Sequence, residues 1–98
     1  MDIRIHSIRF DASDRLKNFI NNKLDKLSIL ASGEILSSEV FLRLSKADDT
    51  ENKISEIKLE VKGDTLFAKK QCKTFEEATD MAINALKKQL DKHRNKYK

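Results

Sequence analysis

The apolar residues of this chain change their spacing in a fixed order, and that order admits few folds. Ile3 and Ile5 alternate with Arg4 and His6, the period of a strand, and a phase slip near Ser7 leads through Ile8 and Phe10 into a turn. From there the spacing lengthens. Leu16, Phe19, Ile20, Leu24 and Leu27 recur every three or four residues, one buried stripe of a helix that Ser13 is placed to cap and that fades near Gly33. Alternation returns at Val40, Leu42 and Leu44, with Phe41 and Arg43 between them, and again at Ile57, Leu59 and Val61. Gly63-Asp64 suits a two-residue hairpin turn into a fourth strand, setting Val61 opposite Leu66 and Leu59 opposite Ala68. A second helical stripe closes the chain: Phe75, Ala78, Ala82, Leu86, Leu90, His93 and Tyr97, with Thr74 as its cap.

Each helix has one apolar side, so both must cover the same face of the sheet. The predicted fold is α+β, a β-α-β-β-β-α two-layer sandwich with a four-stranded sheet, in one domain over residues 1–98. The polar run Lys46 to Asn52 is a loop. The opening alternation is not the continuous apolar run of a signal peptide, and no stretch approaches membrane-spanning length, so the expectation is a soluble, cytoplasmic protein without a membrane partner. A single cysteine, Cys72, cannot form an internal disulfide and agrees with a reducing compartment.

Little here supports catalysis. His6 and His93 are the only histidines, and His93 sits on an apolar stripe, where a packed or capping role is the ordinary one. Neither they nor Cys72 belong to a metal-ligand cluster, and Asp48, Asp49 and Glu51 lack the rest of a calcium loop. With only Gly33 and Gly63, neither a phosphate-binding loop nor a dinucleotide fingerprint can be built. The expectation is no enzyme, no catalytic residue, no metal, no cofactor and no small-molecule substrate.

Charge is the informative property. Residues 85–98 hold Lys87, Lys88, Lys92, Arg94, Lys96 and Lys98 against Asp91 alone, a local +5 that exceeds the +4 of the whole chain. Acids at the start of that helix and bases at its end partly follow the helix dipole, yet the excess points to a polyanion, most plainly RNA. At 100° per residue Lys88 and Lys92 share one flank, with Lys96 nearer the buried stripe, and Lys87 and Arg94 share the opposite flank. On the first helix Arg15 and Lys26 lie beside the stripe, and Lys23 almost within it, its stem packed on the core. These flanks are expected to line one inter-helix groove, although a solvated lysine-rich surface would read the same way. Phe41 and Phe67 should share the open sheet face with Arg43, Lys58, Lys62 and Lys69, where they could stack on unpaired bases, cover sheet surface or meet another protomer.

Taken end to end, the chain resembles the ribosome hibernation-promoting factors, the family that includes the ribosome-associated inhibitor and was once described as sigma-54 modulation proteins. The likeness lies in Ile3-Arg4-Ile5, in Ser13-Asp14-Arg15-Leu16-Lys17 with Lys23-Leu24-Asp25-Lys26-Leu27, in Glu39-Val40-Phe41-Leu42, and in Asp80 with Leu86-Lys87-Lys88-Gln89-Leu90-Asp91-Lys92-His93. It implies the same β-α-β-β-β-α fold and a protein that binds the small ribosomal subunit in the messenger and transfer RNA channel, inhibiting translation by occlusion. It further implies ribosomal-RNA contacts from basic residues of both helices, matched here by Lys23, Lys26, Lys88 and Lys92, with Lys17 at a common basic position on the other flank. Many members have a lysine where this chain has Ala85, and an Asp-Met-Tyr stretch where it has Thr74-Phe75-Glu76. Having neither a pairing domain nor an acidic tail, it looks like the short type, for which pairing of ribosomes would call for a separate factor. Two other readings are a general double-stranded RNA module and a protein-interaction module using the Phe41 and Phe67 face.

Overall fold

The computed structural model describes residues 1–47 and 50–96, residue 96 by its backbone alone. Asp48, Asp49, Tyr97, Lys98 and the Lys96 side chain, all part of the expectations above, lie outside the described residues. Six elements follow in the predicted order: β1 (Asp2–Ser7), α1 (Asp14–Leu30), β2 (Ile35–Leu44), β3 (Lys53–Val61), β4 (Asp64–Cys72) and α2 (Phe75–Lys96). The strands form one open sheet, ordered β1-β2-β3-β4. β1 runs parallel to β2, because α1 carries the chain back to its starting end, and the other two pairings are antiparallel.

Local chemistry sets the helix ends. The Ser13 hydroxyl accepts from the Leu16 N–H at 3.1 Å, and the Thr74 hydroxyl from the Glu77 N–H at 3.0 Å. α1 stops where Ser32 and Gly33 take φ of 51° and 81°, a left-handed turn that cannot continue a helix. Between the caps, Ile20, Leu24 and Leu27 from α1 and Ala78, Ala82, Leu86 and Leu90 from α2 are buried on Val40, Leu42, Ile57, Leu59, Leu66 and Ala68 of the sheet. Each Leu, Ile or Val so covered contributes about 1.5–3 kcal/mol relative to exposure.

Three expectations change in detail. The hairpin sets Val61 opposite Asp64, Leu59 opposite Leu66 and Ile57 opposite Ala68, a slip of two residues from the predicted register. Its turn centres on Lys62-Gly63, with positive φ at Gly63 alone (85°), rather than on Gly63-Asp64. Side chains alternate with a period of two, so this slip leaves every residue on its predicted face. Leu44, expected inside, is 49% exposed, at the far end of β2. β2 also begins five residues before Val40, across an irregularity between Ile35 and Ser37 that hides its first residues from simple alternation.

One polar pair lies within the layer between sheet and helix. Ser55 of β3 and Thr79 of α2 are fully buried, their hydroxyls 3.1 Å apart.

Candidate nucleic-acid interface

The flank of α2 that faces α1 carries Asp80, Lys87, Asp91 and Arg94, spaced seven, four and three residues apart and so on one side of the helix. Most of its cations are engaged within the fold or mixed with acids. Lys23 of α1 meets Asp80 at 3.2 Å and sits 5.5 Å from the centre of the Phe19 ring, so its charge ties the two helices together. Arg94 donates to Glu34 at 3.0 Å and to the Leu30 carbonyl at 2.9 Å. α1 has no basic residue in its own last turn, and Arg94 supplies from α2 the cation that its negative end favours. Lys87 stands at the rim of a slot between the helix ends, with Asp91 and Arg94. Arg15 lines a depression with Phe19, Asn22 and the acid Glu76.

Lys88 and Lys92 lie on the other side. Lys92 borders a depression with Asp64, Leu66, Gln89 and His93, and the Gln89 amide donates to the Phe67 carbonyl at 2.8 Å, so this flank of α2 looks onto β4. Lys88 stands one helical turn earlier on the same side. The expected single groove is therefore corrected: Lys23, Lys87 and Arg94 border the inter-helix face, while Lys88 and Lys92 form a ridge toward the sheet edge. Lys26, Lys87, Lys88 and Lys92 are exposed, and among the described residues none has an ion-pair partner. Exposed lysines without a carboxylate keep their full charge for a polyanion.

The open sheet face differs from the cationic surface expected. Phe67 is 51% exposed and Phe41 half-buried, both pointing away from the helices. Glu39, Glu56 and Glu60 share that face. His6 meets Glu39 at 2.8 Å and stacks on Phe41 with ring centres 4.9 Å apart, while Arg43 donates to Glu56 at 3.1 Å. Lys58 and the Thr65 hydroxyl both reach Glu60, at 3.7 and 3.0 Å. Strand parity reveals these acids in the sequence, since each is an even number of residues from an outward-facing neighbour.

Sequence reasoning also missed Lys70. It lies on the helix-facing side of β4 with Leu66, Ala68 and Cys72, half-buried, and among the described residues it has no ion-pair partner. A lysine on the apolar side of an outer strand was the signal. Next to it, burial pushes the Cys72 thiol above its ordinary pKa, helped by Glu77 and Glu51 and opposed by Lys70. Among the described residues no group of three His, Cys, Asp or Glu is placed to hold a metal ion, and no helix is long and apolar enough to cross a membrane.

Residues 3–98 match the sequence model of the family described as sigma 54 modulation protein / S30EA ribosomal protein. Among solved structures, the fold is similar to a ribosomal subunit interface protein from Coxiella burnetii, with a TM-score of 0.85 and 21% identity over 97% of this chain and 99% of that one. It is also similar to the N-terminal domain of Protein Y from Thermus thermophilus, with a TM-score of 0.80 and 20% identity over 95% of this chain and 99% of that one. A search of curated protein sequences gives no significant match.

Proposed function

Because this chain belongs to the sigma 54 modulation protein / S30EA ribosomal protein family, we propose that it is a ribosome-binding translation inhibitor. In this reading it occupies the messenger and transfer RNA channel of the small subunit, acts in the cytoplasm without catalysis, and promotes ribosome hibernation. The carrying observation is the unpaired charge of α2: Lys88 and Lys92 stand exposed one turn apart, about 6 Å along the axis, on a helix whose other side is locked into the core. Lys26, Lys87 and Arg15 add exposed cations without an ion-pair partner among the described residues, while Lys23 and Arg94 act chiefly by holding the helices that present them. Such an arrangement reads phosphate spacing and RNA shape rather than base identity.

Sucrose-gradient co-sedimentation with small subunits, large subunits and intact ribosomes across a salt series tests this. The expected result is selective retention by small subunits and intact ribosomes, with a log–log salt slope of about −0.7 to −0.9 for each phosphate contacted. Equal affinity for isolated duplex RNA would favour a general RNA module, and salt-independent binding would favour a protein partner on the open sheet face. Messenger and transfer RNA bound beforehand should compete with the protein, each ligand weakening the other by the same factor.

A further inference from the structure

We propose that the RNA-binding surface of α2 continues onto the outer strand, with Lys70 as a further phosphate ligand and Lys73 beside it in the connection to the helix. This rests on the reading of α2 just given. Lys70 holds a position that calls for an apolar side chain: of Leu66, Ala68, Lys70 and Cys72, which share the helix-facing side of β4, the other three are buried. A lysine there lays its stem under the helix and carries its ammonium outward. β4 is the last strand of the sheet, so the short way out is sideways, past the edge, toward the flank where Lys88 and Lys92 stand.

The crossing of helix and strand gives the order of charges. Cys72 Sγ lies 3.3 Å from Met81 Sδ, and Gln89 reaches the Phe67 carbonyl, so α2 runs antiparallel to β4 and Lys70 lies between these two contacts. Lys73, Lys70, Lys88 and Lys92 therefore follow one another along one side of the molecule. Lys73, Lys88 and Lys92 are exposed, and among the described residues none of the four has an ion-pair partner. The acids on this side are Glu77, Glu51 and Asp64, and the Asp64 carboxylate already accepts the Thr65 N–H at 2.8 Å. A line of single positive charges with Met81 as its exposed apolar side chain suits a phosphodiester backbone better than a protein, whose interfaces centre on apolar and aromatic groups.

An inward-facing charge on an outer strand can also serve only to discourage strand addition. Binding to small subunits across a salt series, run on the full chain with Lys70→Gln, Lys70→Arg and Lys73→Gln, separates the two roles. Each Gln variant should lower the salt slope by about 0.7–0.9 and weaken binding about fivefold near 0.15 M salt, and Lys70→Arg should retain wild-type binding. A wild-type slope in both Gln variants overturns the proposal, and does so equally if Lys70→Gln self-associates on a sizing column, which would mark edge protection. Lys73 is exposed in the connection, so Lys73→Gln carries the test alone if Lys70→Gln fails to fold. Lys88→Glu with Lys92→Glu, run in parallel, keeps the outcomes apart. If that variant loses binding while the Gln variants keep it, only the extension fails; if it too binds normally, the reading of α2 falls as well.

Discussion

Arg94 and Glu34, 60 residues apart in sequence, join the end of α2 to the turn that follows α1. The same guanidinium caps the Leu30 carbonyl, so one side chain performs the duties of an ion pair and of a helix-end cation. The side chains of both partners are about one-third exposed, which limits the pair to about 0.2–1 kcal/mol, and the carbonyl contact adds about 0.3–1 kcal/mol. Arg94→Ala should lower stability by about 1 kcal/mol in urea unfolding while leaving the salt slope of ribosome binding intact. A lowered slope with unchanged stability would show Arg94 bound to RNA instead.

Lys88→Glu with Lys92→Glu should abolish co-sedimentation with small subunits and leave unfolding free energy within about 1 kcal/mol of wild type, because exposed positions contribute little to folding. Full co-sedimentation of a folded double variant would remove α2 from the site.

Ser55→Ala or Thr79→Val alone leaves one buried hydroxyl without its partner, at a cost of about 1–3 kcal/mol. The double variant should cost less than the two singles added, and a double-mutant cycle by chemical denaturation measures the difference. Strict additivity would mean that the two hydroxyls do not depend on each other.

Burial raises the Cys72 pKa above the ordinary 9.0, with Glu77 and Glu51 adding to the shift. The folded protein thus holds the thiol neutral where the unfolded chain would ionise it, and the stability this gives is complete below the unfolded pKa and lost as pH rises through the folded one. Unfolding midpoints should fall above about pH 9 more steeply in wild type than in Cys72→Ala, whose profile lacks that ionisation. Parallel profiles would assign the loss to other groups.

Element order and caps could be read from the residues because they are local: the stripe of Leu16 to Leu27 and the hydroxyls of Ser13 and Thr74 act within a turn or two. The side of α2 that meets α1 could not. A helical wheel separates Lys88 from Lys87, but only the sheet order and the path of the crossover decide which flank looks across at Lys23. Hairpin register was ambiguous for a related reason, since Gly63 can take its positive φ at either position of a two-residue turn. The acids of the open face were legible, because Glu39, Glu56 and Glu60 obey the same alternation as Phe41 and Lys58.

The parallel partnership of β1 has a consequence for the history of the molecule. β3 and β4 close on each other across a two-residue turn, whereas Asp2 must wait for Ser37. Loop closure costs more as the intervening chain lengthens, so the hairpin can zip early and β1 docks only after α1 and β2 exist. On a full-length chain refolding from the unfolded state, the first strand in sequence is then the last to find its place. Within the sheet the same strand is hydrogen-bonded to β2 alone, and in native-state hydrogen exchange its amides should open before those of β3.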